Sequence, residues 1–170
     1  VSEVYVEYSL EDLFDNNDFE VKYLYCNGIT LKEQDLSKLK QEQLPFKAIK
    51  IGKLDLIDTP LWFNNFKAQH ATFSAQNFIL IDNISFEDGA LSADTAQFEN
   101  VELKKLNTKI EIGKEEIRTN QFSAQVLGGQ IQADLKIAPA KREIIFNSLS
   151  LNKIILKDLT NDLPKYTISV

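Results

Sequence analysis

The chain contains no methionine and almost no histidine or cysteine, two residues on which many catalytic and metal sites are built. Among its 170 residues are one cysteine (Cys26), one histidine (His70) and one tryptophan. A single cysteine excludes an internal disulfide and any zinc site built on a cysteine cluster. A Ser-His-Asp or Cys-His arrangement could use only His70 or Cys26, and no serine lies in a Gly-x-Ser-x-Gly elbow. We therefore predict a non-enzyme with no catalytic residues, no metal site and no cofactor.

Long apolar runs are also missing. The absence of about 18 consecutive apolar residues excludes a transmembrane helix within this sequence, and there is no signal peptide pattern. Because the chain starts at Val1 and lacks methionine, we expect a processed protein or a piece of a longer one. Any membrane association would then use a segment outside this chain.

The charge balance excludes one class of partner. The net charge is −6 and the isoelectric point is near 4.9, with lysines scattered among acidic residues. Nucleic-acid binding needs a concentrated basic surface. We therefore expect no nucleic acid among the partners.

From about residue 46 onward, apolar residues recur mostly at spacing two, which is typical of strands with one buried face. Ile49 and Ile51 are followed by Leu54 and Leu56 in the opposite phase, which indicates a bulge or bend at Gly52. Short turn signals at intervals of roughly 8 to 15 residues predict an antiparallel meander over 46–170. These signals are Asp82-Asn83, Glu87-Asp88-Gly89, Asn107, Gly113, Gly128-Gly129, Pro139 and Asn152.

The first 45 residues have a different pattern and predict a helix and strand cap on the same single domain, 1–170. Residues 9–14 and 34–44 each place leucines on one face of a short amphipathic helix. Between them, Phe19 to Tyr25 alternates like a strand. The predicted fold class is mainly β: a curled antiparallel sheet, arranged as a groove, half-barrel or sandwich, with one or two short helices near the N-terminus.

Several polar features have ordinary structural interpretations. Cys26 is expected to be a buried or half-buried strand residue, and His70 to lie on the polar face of a strand. Residues 15–18 resemble half of a calcium loop but lack its spacing and closing glutamate, which favours a solvated turn. Gly128-Gly129 lacks the Lys-Ser/Thr and following helix of a phosphate loop, so we predict a tight hairpin or bulged turn.

A short motif occurs twice. Phe73-Ser-Ala-Gln76 recurs 49 residues later as Phe122-Ser-Ala-Gln125, each time inside a strand-like run. A match of four residues can arise by chance, or it can mark repeating units of a few strands that stack on their neighbours.

The apolar side of such a sheet must be covered by something. The sheet either closes into a sandwich or barrel, or curls into a trough that accepts a lipid or another apolar ligand. The pattern alone favours the closed arrangement. For the trough, the candidate inward residues are Phe73, Phe78, Phe98, Phe122, Val126, Ile131, Leu135, Phe146 and Leu151.

Residues 98–106, 108–118, 120–135 and 148–159 resemble the C-terminal part of AsmA-family proteins. The shared order is a strand, a short-turn hairpin, an apolar strand ending in Gly128-Gly129, an outgoing strand and a final strand ending in Leu156-Lys-Asp-Leu159. The similarity spans roughly 49–160 and is strongest over 98–160. It rests on structural positions, and Leu127-Gly-Gly129 with its flanking strands is its distinctive part.

The resemblance implies a non-enzymatic protein of the Gram-negative envelope, on the periplasmic side of the inner membrane. It further implies a β-groove associated with phospholipid movement, outer-membrane assembly and envelope homeostasis. The expected partners are phospholipid or another envelope protein. The alternative from the residues alone is a structural or protein-interaction domain with a closed core and no lipid, which meets its partner along a strand edge or through the 34–44 helix.

Overall fold

The computed structural model describes residues 2–9, 18–32, 34, 48–63, 65–80, 84–113, 116–141, 143–154 and 167–169. Strands account for 84% of this part of the chain, in one open sheet in which antiparallel pairing dominates. The prediction of a mainly β, largely antiparallel protein is confirmed.

In the described part of the chain the sheet has eleven strands, of which β2 and β4 to β10 have ten residues or more. They are β1 (Glu3–Glu7), β2 (Asp18–Asn27), β3 (Leu31–Lys32), β4 (Ala48–Trp62), β5 (Phe66–Leu80), β6 (Ser85–Phe98), β7 (Val101–Ile112), β8 (Ile117–Val126), β9 (Gly129–Ala138), β10 (Glu143–Asn152) and β11 (Thr167–Ser169).

The strands pair in the order β1-β2-β4-β5-β6-β7-β8-β9-β10-β11, and β3 also pairs with β4. From β4 to β10 each strand runs antiparallel to the next, which confirms the predicted meander. Parallel pairs occur at the two ends, between β2 and β4, β3 and β4, and β10 and β11. The predicted strand at 19–25 lies within β2, so strands of the N-terminal region belong to the same sheet.

The closed arrangement that the pattern favoured is wrong for the described residues. The sheet is a single open path whose end strands, β1 and β11, each pair with one neighbour. Alternation of apolar and polar residues indicates that one face of a strand is buried, but it does not indicate whether the sheet closes on itself. The sequence therefore could not distinguish the two arrangements.

The two predicted N-terminal helices lie almost entirely outside the described residues. Within the described part there is no α-helical element, and the one helical turn is a 3-10 turn at Pro139–Lys141 between β9 and β10. No helix of that part has the length and apolar content needed to cross a membrane.

Most apolar side chains of the strands lie on one side of the sheet, which we call the apolar face. Burial and cross-strand register define it. Its members are Val4, Val6, Phe19, Val21, Leu24, Cys26, Ile49, Ile51, Leu54, Leu56, Leu61, Phe66, Ala68, Ala71, Phe73, Ala75, Phe78, Leu80, Phe86, Leu91, Ala93, Ala96, Phe98, Val101, Leu103, Leu106, Ile110, Ile112, Ile117, Phe122, Ala124, Val126, Ile131, Ala133, Leu135, Ile137, Ile144, Phe146, Leu149 and Leu151.

β-Bulges keep the apolar side chains of the long strands on the same side of the sheet. Along a regular strand, the side chains on one face are two residues apart. At several points two successive residues of the apolar face are instead three residues apart, and one of the two residues between them has a positive φ. Each such position coincides with a shift of pairing register, as expected when one extra residue is inserted into a strand. The positive-φ bulge residues are Asp58, His70, Asn77, Asp88, Lys105 and Gln121.

Two predicted turns are therefore wrong. Asp88-Gly89 is a bulge inside β6, and Asn107 lies in the middle of β7. Asp and Gly tolerate positive φ, so the same residue types serve a bulge and a turn. The phase change that the sequence indicated between Ile51 and Leu54 is present, because both side chains are buried on the same face.

Other predicted turns are confirmed. The amide of Gly113 donates to the carbonyl of Glu116 at 3.0 Å, which closes the turn between β7 and β8. Between β8 and β9, Val126 pairs with Gly129 around a two-residue loop. The loop residues Leu127 and Gly128 both have positive φ, 48° and 75°, as a type I′ hairpin requires, so the hairpin is present but its loop lies one residue earlier than the predicted Gly128-Gly129.

Two bulge residues form an ion pair whose effect depends on pH. His70 Nδ1 lies 2.6 Å from Asp58 Oδ1, and both side chains are largely exposed. The hydrogen bond and the charge of Asp58, with a smaller contribution from Asp94, raise the pKa of His70 above 6.5. The pKa of His70 is higher in the folded state than in the unfolded state. The ion pair therefore stabilises the fold fully at pH values below the unfolded-state pKa, and this stabilisation is lost as the pH rises through the folded-state pKa.

We expect an NMR titration of the His70 imidazole to give a pKa above its ordinary value, and Asp58→Asn to lower it. Asp94→Asn is the matched control and should lower it less. Because the pair is exposed, the effect on stability should be small. A His70 pKa that is unchanged in Asp58→Asn would show that the contact does not exist in solution.

Candidate functional site: the apolar face of the sheet

The centre of the apolar face is built from small side chains closely surrounded by larger ones. Ala68, Ala71 and Ala124 retain 2% or less of their accessible surface. Aromatic residues on the same and neighbouring strands, including Phe66, Phe73 and Phe122, pack against this cluster. Close packing of methyl groups under aromatic rings gives the middle of the sheet a stable core without a second layer of strands in the described part.

A group of three phenylalanines joins this cluster to the core beside β2. The ring of Phe86 meets that of Phe73 edge-on at 5.2 Å between centroids and stacks on that of Phe78 at 5.9 Å. Phe73 and Phe78 also pack against the second cluster, which contains Val21, Cys26 and Leu56. The apolar face is therefore continuous from the N-terminal strands to β9.

All nine candidate residues predicted from the sequence lie on this face. Val126 is buried, and most of the others are half-buried: Phe73, Phe78, Phe122, Ile131, Leu135 and Phe146. Phe98 and Leu151 are exposed, at 40% and 49%. Cross-strand pairing places Leu151 beside Ile131 and Phe146 beside Leu135. The structure brings them into one surface spread over five strands, β5, β6, β8, β9 and β10.

The face becomes more open toward β10. Ala124 on β8 is 2% exposed and Ala133 on β9 is 4% exposed. Next to Ala133, Leu149 on β10 is 38% exposed, and Leu151 beyond it reaches 49%. Leucine is more often buried than exposed, so two neighbouring exposed leucines on a shared face mark an accessible part of the surface on this side of the sheet.

No charged side chain lies on the apolar face among the described residues, and its polar groups are three threonines. Thr59 Oγ1 donates to the carbonyl of Ile57 at 3.1 Å, and Thr108 Oγ1 to that of Lys109 at 3.2 Å. Thr119 is 8% exposed, and its hydroxyl has no hydrogen-bond partner in the described structure. Such a surface can bind apolar groups but offers nothing to recognise an ion.

Thr119→Val is expected to raise the free energy of unfolding by about 1 kcal/mol, because it removes an unsatisfied buried hydroxyl and keeps the shape of the side chain. The matched control is Thr108→Val, which removes a hydroxyl that is hydrogen-bonded and should not stabilise. Urea denaturation of both variants measures the difference. Equal destabilisation of the two variants would contradict the finding that the Thr119 hydroxyl has no hydrogen-bond partner.

The opposite face is polar, and its charged residues pair across or along strands. Lys50 lies 2.8 Å from Asp18, and Lys53 lies 2.9 Å from Asp55. Lys136 and Arg118 both contact Glu116 and lower the pKa of its carboxyl group. Three depressions of 580 to 620 Å³ on this face are lined mainly by polar side chains, so they suit water or small polar molecules rather than an acyl chain.

One bulge is supported by a polar network on this face. The backbone amide of Gln121 donates to Asp134 Oδ1 at 2.6 Å, and Ser148 Oγ donates to Asp134 Oδ2 at 2.9 Å. These two hydrogen bonds lower the pKa of Asp134. The network joins β8, β9 and β10, and it stabilises their register close to the exposed leucines of β10.

The predicted structural roles of Cys26 and His70 agree with the structure. Cys26 is 5% exposed, and burial raises the pKa of its thiol, which disfavours the reactive thiolate. His70 is an exposed bulge residue on the polar face. Among the residues described, no three His, Cys, Asp or Glu side chains are grouped so as to hold a metal ion.

Sequence reasoning missed several members of the surface, notably Leu149 and Phe86. It also missed the bulges, although a signal for them is present. Inside a strand, two apolar residues three positions apart with a polar Asp, Asn, His, Lys or Gln between them mark a phase change that keeps one face apolar. Ala75 and Phe78 around Asn77 are one example.

Comparison of the chain with family models, curated proteins and solved structures finds no match.

Proposed function

We propose that the chain is a non-enzymatic module that binds acyl chains of lipids on its apolar face. The observation that carries this proposal is the continuous, uncharged apolar face, which is held in phase by bulges and becomes exposed at Phe98, Leu149 and Leu151. Soluble proteins seldom leave neighbouring apolar side chains exposed on one surface without a partner for them.

The bulges also supply a reason for a curled shape. Each bulge bends its strand and increases its twist, and bulges that recur on neighbouring strands curl a sheet about its apolar side. Bulge residues occur on β4, β5, β6, β7 and β8. The proposed binding surface is therefore a groove whose floor is the packed alanine cluster and whose accessible end is formed by β10.

The energy available from such a surface suits a lipid. Each methylene of an acyl chain that leaves water contributes about 0.8 kcal/mol. A chain that lays six to eight methylenes on exposed and half-buried leucines and phenylalanines could therefore gain roughly 5 kcal/mol without any polar contact. The head group would remain in water at the end of the groove.

The resemblance to AsmA-family proteins supports a specific setting for this activity. In this proposal the chain lies on the periplasmic side of the inner membrane of a Gram-negative bacterium and takes part in phospholipid transport, outer-membrane assembly and envelope homeostasis. Membrane association in this proposal uses a segment outside this chain. The apolar face is consistent with that setting because a groove for acyl chains is what phospholipid movement through water requires.

Site-specific photocrosslinking in a Gram-negative host tests the proposal. A photoreactive benzoylphenylalanine at position 149 faces the groove, and the same residue at position 150 faces the polar side of the same strand. We expect lipid adducts from position 149, detected by mass spectrometry, and at least about tenfold fewer from position 150, because side chains alternate along a strand. Equal labelling from both positions would contradict the proposal.

The second candidate function is a structural or protein-interaction domain that holds no lipid. The near-complete burial of Ala68, Ala71 and Ala124 favours it, because the centre of the face is already covered. The same experiment separates the two functions: position 149 would then crosslink to a protein instead of a lipid.

A further inference from the structure

β2 and β4 are parallel neighbours, so the chain between them has to return along the sheet. β3 continues the line of β2 along the same edge of β4: Asp18 pairs with Ala48 at the start of β4, and Lys32 pairs with Trp62 at its end. Residues 33–47 therefore lead from the end of β4 back to its start, and they equal the 15 residues of that strand in number. A connection between parallel strands has to cross one face of the sheet.

The stereochemistry of the backbone shows on which side of β4 its neighbours lie. Side chains alternate between the two faces of a strand, and the backbone N–H and C=O groups alternate between its two edges in step with them. When a strand of L-residues runs upward and a side chain points at the viewer, the N–H and C=O groups of that residue point to the viewer's right.

Two hydrogen bonds then fix the order of the strands. Ile57 points to the polar face, next to the buried Leu56, and its carbonyl accepts the amide of Gly28, the residue after β2, at 3.0 Å. Phe63 packs against the central apolar cluster, and its amide donates to the carbonyl of Phe66 at 2.8 Å. Both hydrogen bonds place β2 to the left of β4 and β5 to its right, when the sheet is viewed from the apolar face with β4 running upward.

The handedness of chain connections selects the face that is crossed. Connections between parallel strands of one sheet are right-handed in about 98% of cases. Viewed from the apolar face, β4 lies to the right of β2 and β3, so a right-handed path from β3 to β4 passes in front of the sheet. This rule assigns residues 33–47 to the apolar face.

The burial of the apolar face over β2 and β4 agrees with a covering segment. Val21, Ile51, Leu54 and Leu56 are only 4 to 6% exposed. On the same face of β10, Leu149 is 38% exposed. In a single layer of strands, neighbouring side chains surround the base of a large apolar side chain and leave its tip in water, so burial of the tip needs atoms above the sheet.

The sequence of 33–47 suits such a covering role. Leu36, Leu39 and Leu44 share one side of the helix that the sequence predicts over 34–44, while charged residues are interspersed between them. Gln34 is exposed, as a polar residue of a covering segment should be. The leucines need an apolar surface, and the part of the apolar face that the connection crosses is one.

We propose that residues 33–47 dock through their leucines on the apolar face over β2 and β4. The chain itself then occupies this part of the face, and acyl chains are restricted to the part from β5 to β10. The docking also makes the leucines of 34–44 unavailable to a protein partner. It concerns a different part of the face from the proposed lipid site and holds whether or not a lipid binds.

Photocrosslinking within the full chain tests this inference. Leu24 and Tyr25 are consecutive, half-buried residues of β2 that point to the apolar and the polar face. From benzoylphenylalanine at position 24 we expect intramolecular adducts to peptides of 33–47, at least about tenfold more than from position 25. Equal or greater yields from position 25, or no adduct to 33–47 from position 24, would overturn the proposal. Lipid or intermolecular adducts from position 24 in place of the expected product would overturn it as well. Photocrosslinking at position 149 measures lipid binding separately.

Cys26 supplies a second readout without a bulky substitution. Its thiol lies on the apolar face of β2, and the residue is 5% exposed. In the double variant Leu36→Asp, Leu39→Asp we expect maleimide to label Cys26 at least about tenfold faster, because carboxylates do not dock on an apolar surface. The matched control Gln34→Asp, Gln41→Asp adds the same charges to the segment and should be labelled at the unaltered rate. Equal rates in the two variants, with circular dichroism spectra like that of the unaltered protein, would overturn the proposal.

Discussion

Gly129→Ala is expected to destabilise the fold by roughly 3 kcal/mol, because the added Cβ would overlap backbone atoms that cannot move independently. Those atoms are the carbonyl oxygen of Asn152 and the amide nitrogen of Ile154, the latter 2.6 Å from the added Cβ. The end of β10 thus crosses directly over the first residue of β9. The free energy of unfolding from urea denaturation measures the effect.

Gly128→Ala is the matched control for this prediction. Gly128 has a φ of 75°, but a Cβ there would have no neighbour within 4 Å. Its cost should therefore be limited to backbone strain, about 1 kcal/mol. Replacing both glycines with valine should abolish folding. A double variant that folds normally and loses a ligand would show that the two glycines serve binding instead of the turn.

The second large effect is expected at the centre of the apolar face. Ala93→Asp should destabilise the protein by roughly 3 to 5 kcal/mol, because a carboxylate at a position that is 5% exposed would be buried without a partner. Ser92→Asp, one residue earlier on β6 and on the polar face, should change stability by about 0.5 kcal/mol or less. Thermal unfolding of the two variants measures the difference in stability between them. Equal effects would show that the two faces of β6 are not different.

The strand pattern could be predicted from the sequence because alternation reports directly which side chains avoid water. Phe122 and Val126, four residues apart on β8, were assigned to one face on this ground, as were Ile131 and Leu135 on β9. The hairpin between β8 and β9 could be predicted because glycine tolerates positive φ, but its loop was predicted one residue late: the loop residues are Leu127 and Gly128, and Gly129 is the first residue of β9.

The length of the strands could not be predicted in the same way. Asp88-Gly89 and Asn107 have the composition of turns, yet they lie inside strands of 14 and 12 residues. A bulge and a turn need the same tolerance for positive φ, and what separates them is the pairing of the next strand, which is a long-range contact. The open edges of the sheet likewise depend on which strands find partners.

The sequence predicted the kind of site, an apolar face, but not how exposed each of its residues is. The nine predicted residues share one face, yet their exposure ranges from buried at Val126 to 49% at Leu151. The exposure of Leu151 agrees with its place on β10 next to the edge of the sheet, but Phe98 is 40% exposed on the inner strand β6, so strand order alone does not set the range. Leu149 was left out of the candidates although it is two residues from Leu151 on the same strand and therefore shares its face.

Quenching of tryptophan fluorescence by a fatty acid brominated in mid-chain tests most directly whether acyl chains occupy the apolar face. The native Trp62 is an internal control, because it is 47% exposed on the polar face. In a Trp62→Phe background, the tryptophan introduced by Leu149→Trp faces the groove. We predict saturable quenching of that tryptophan and little quenching of Trp62 in the unaltered protein, since bromine quenches at contact distance. Equal quenching at both positions, or none at position 149, would contradict an acyl-binding face.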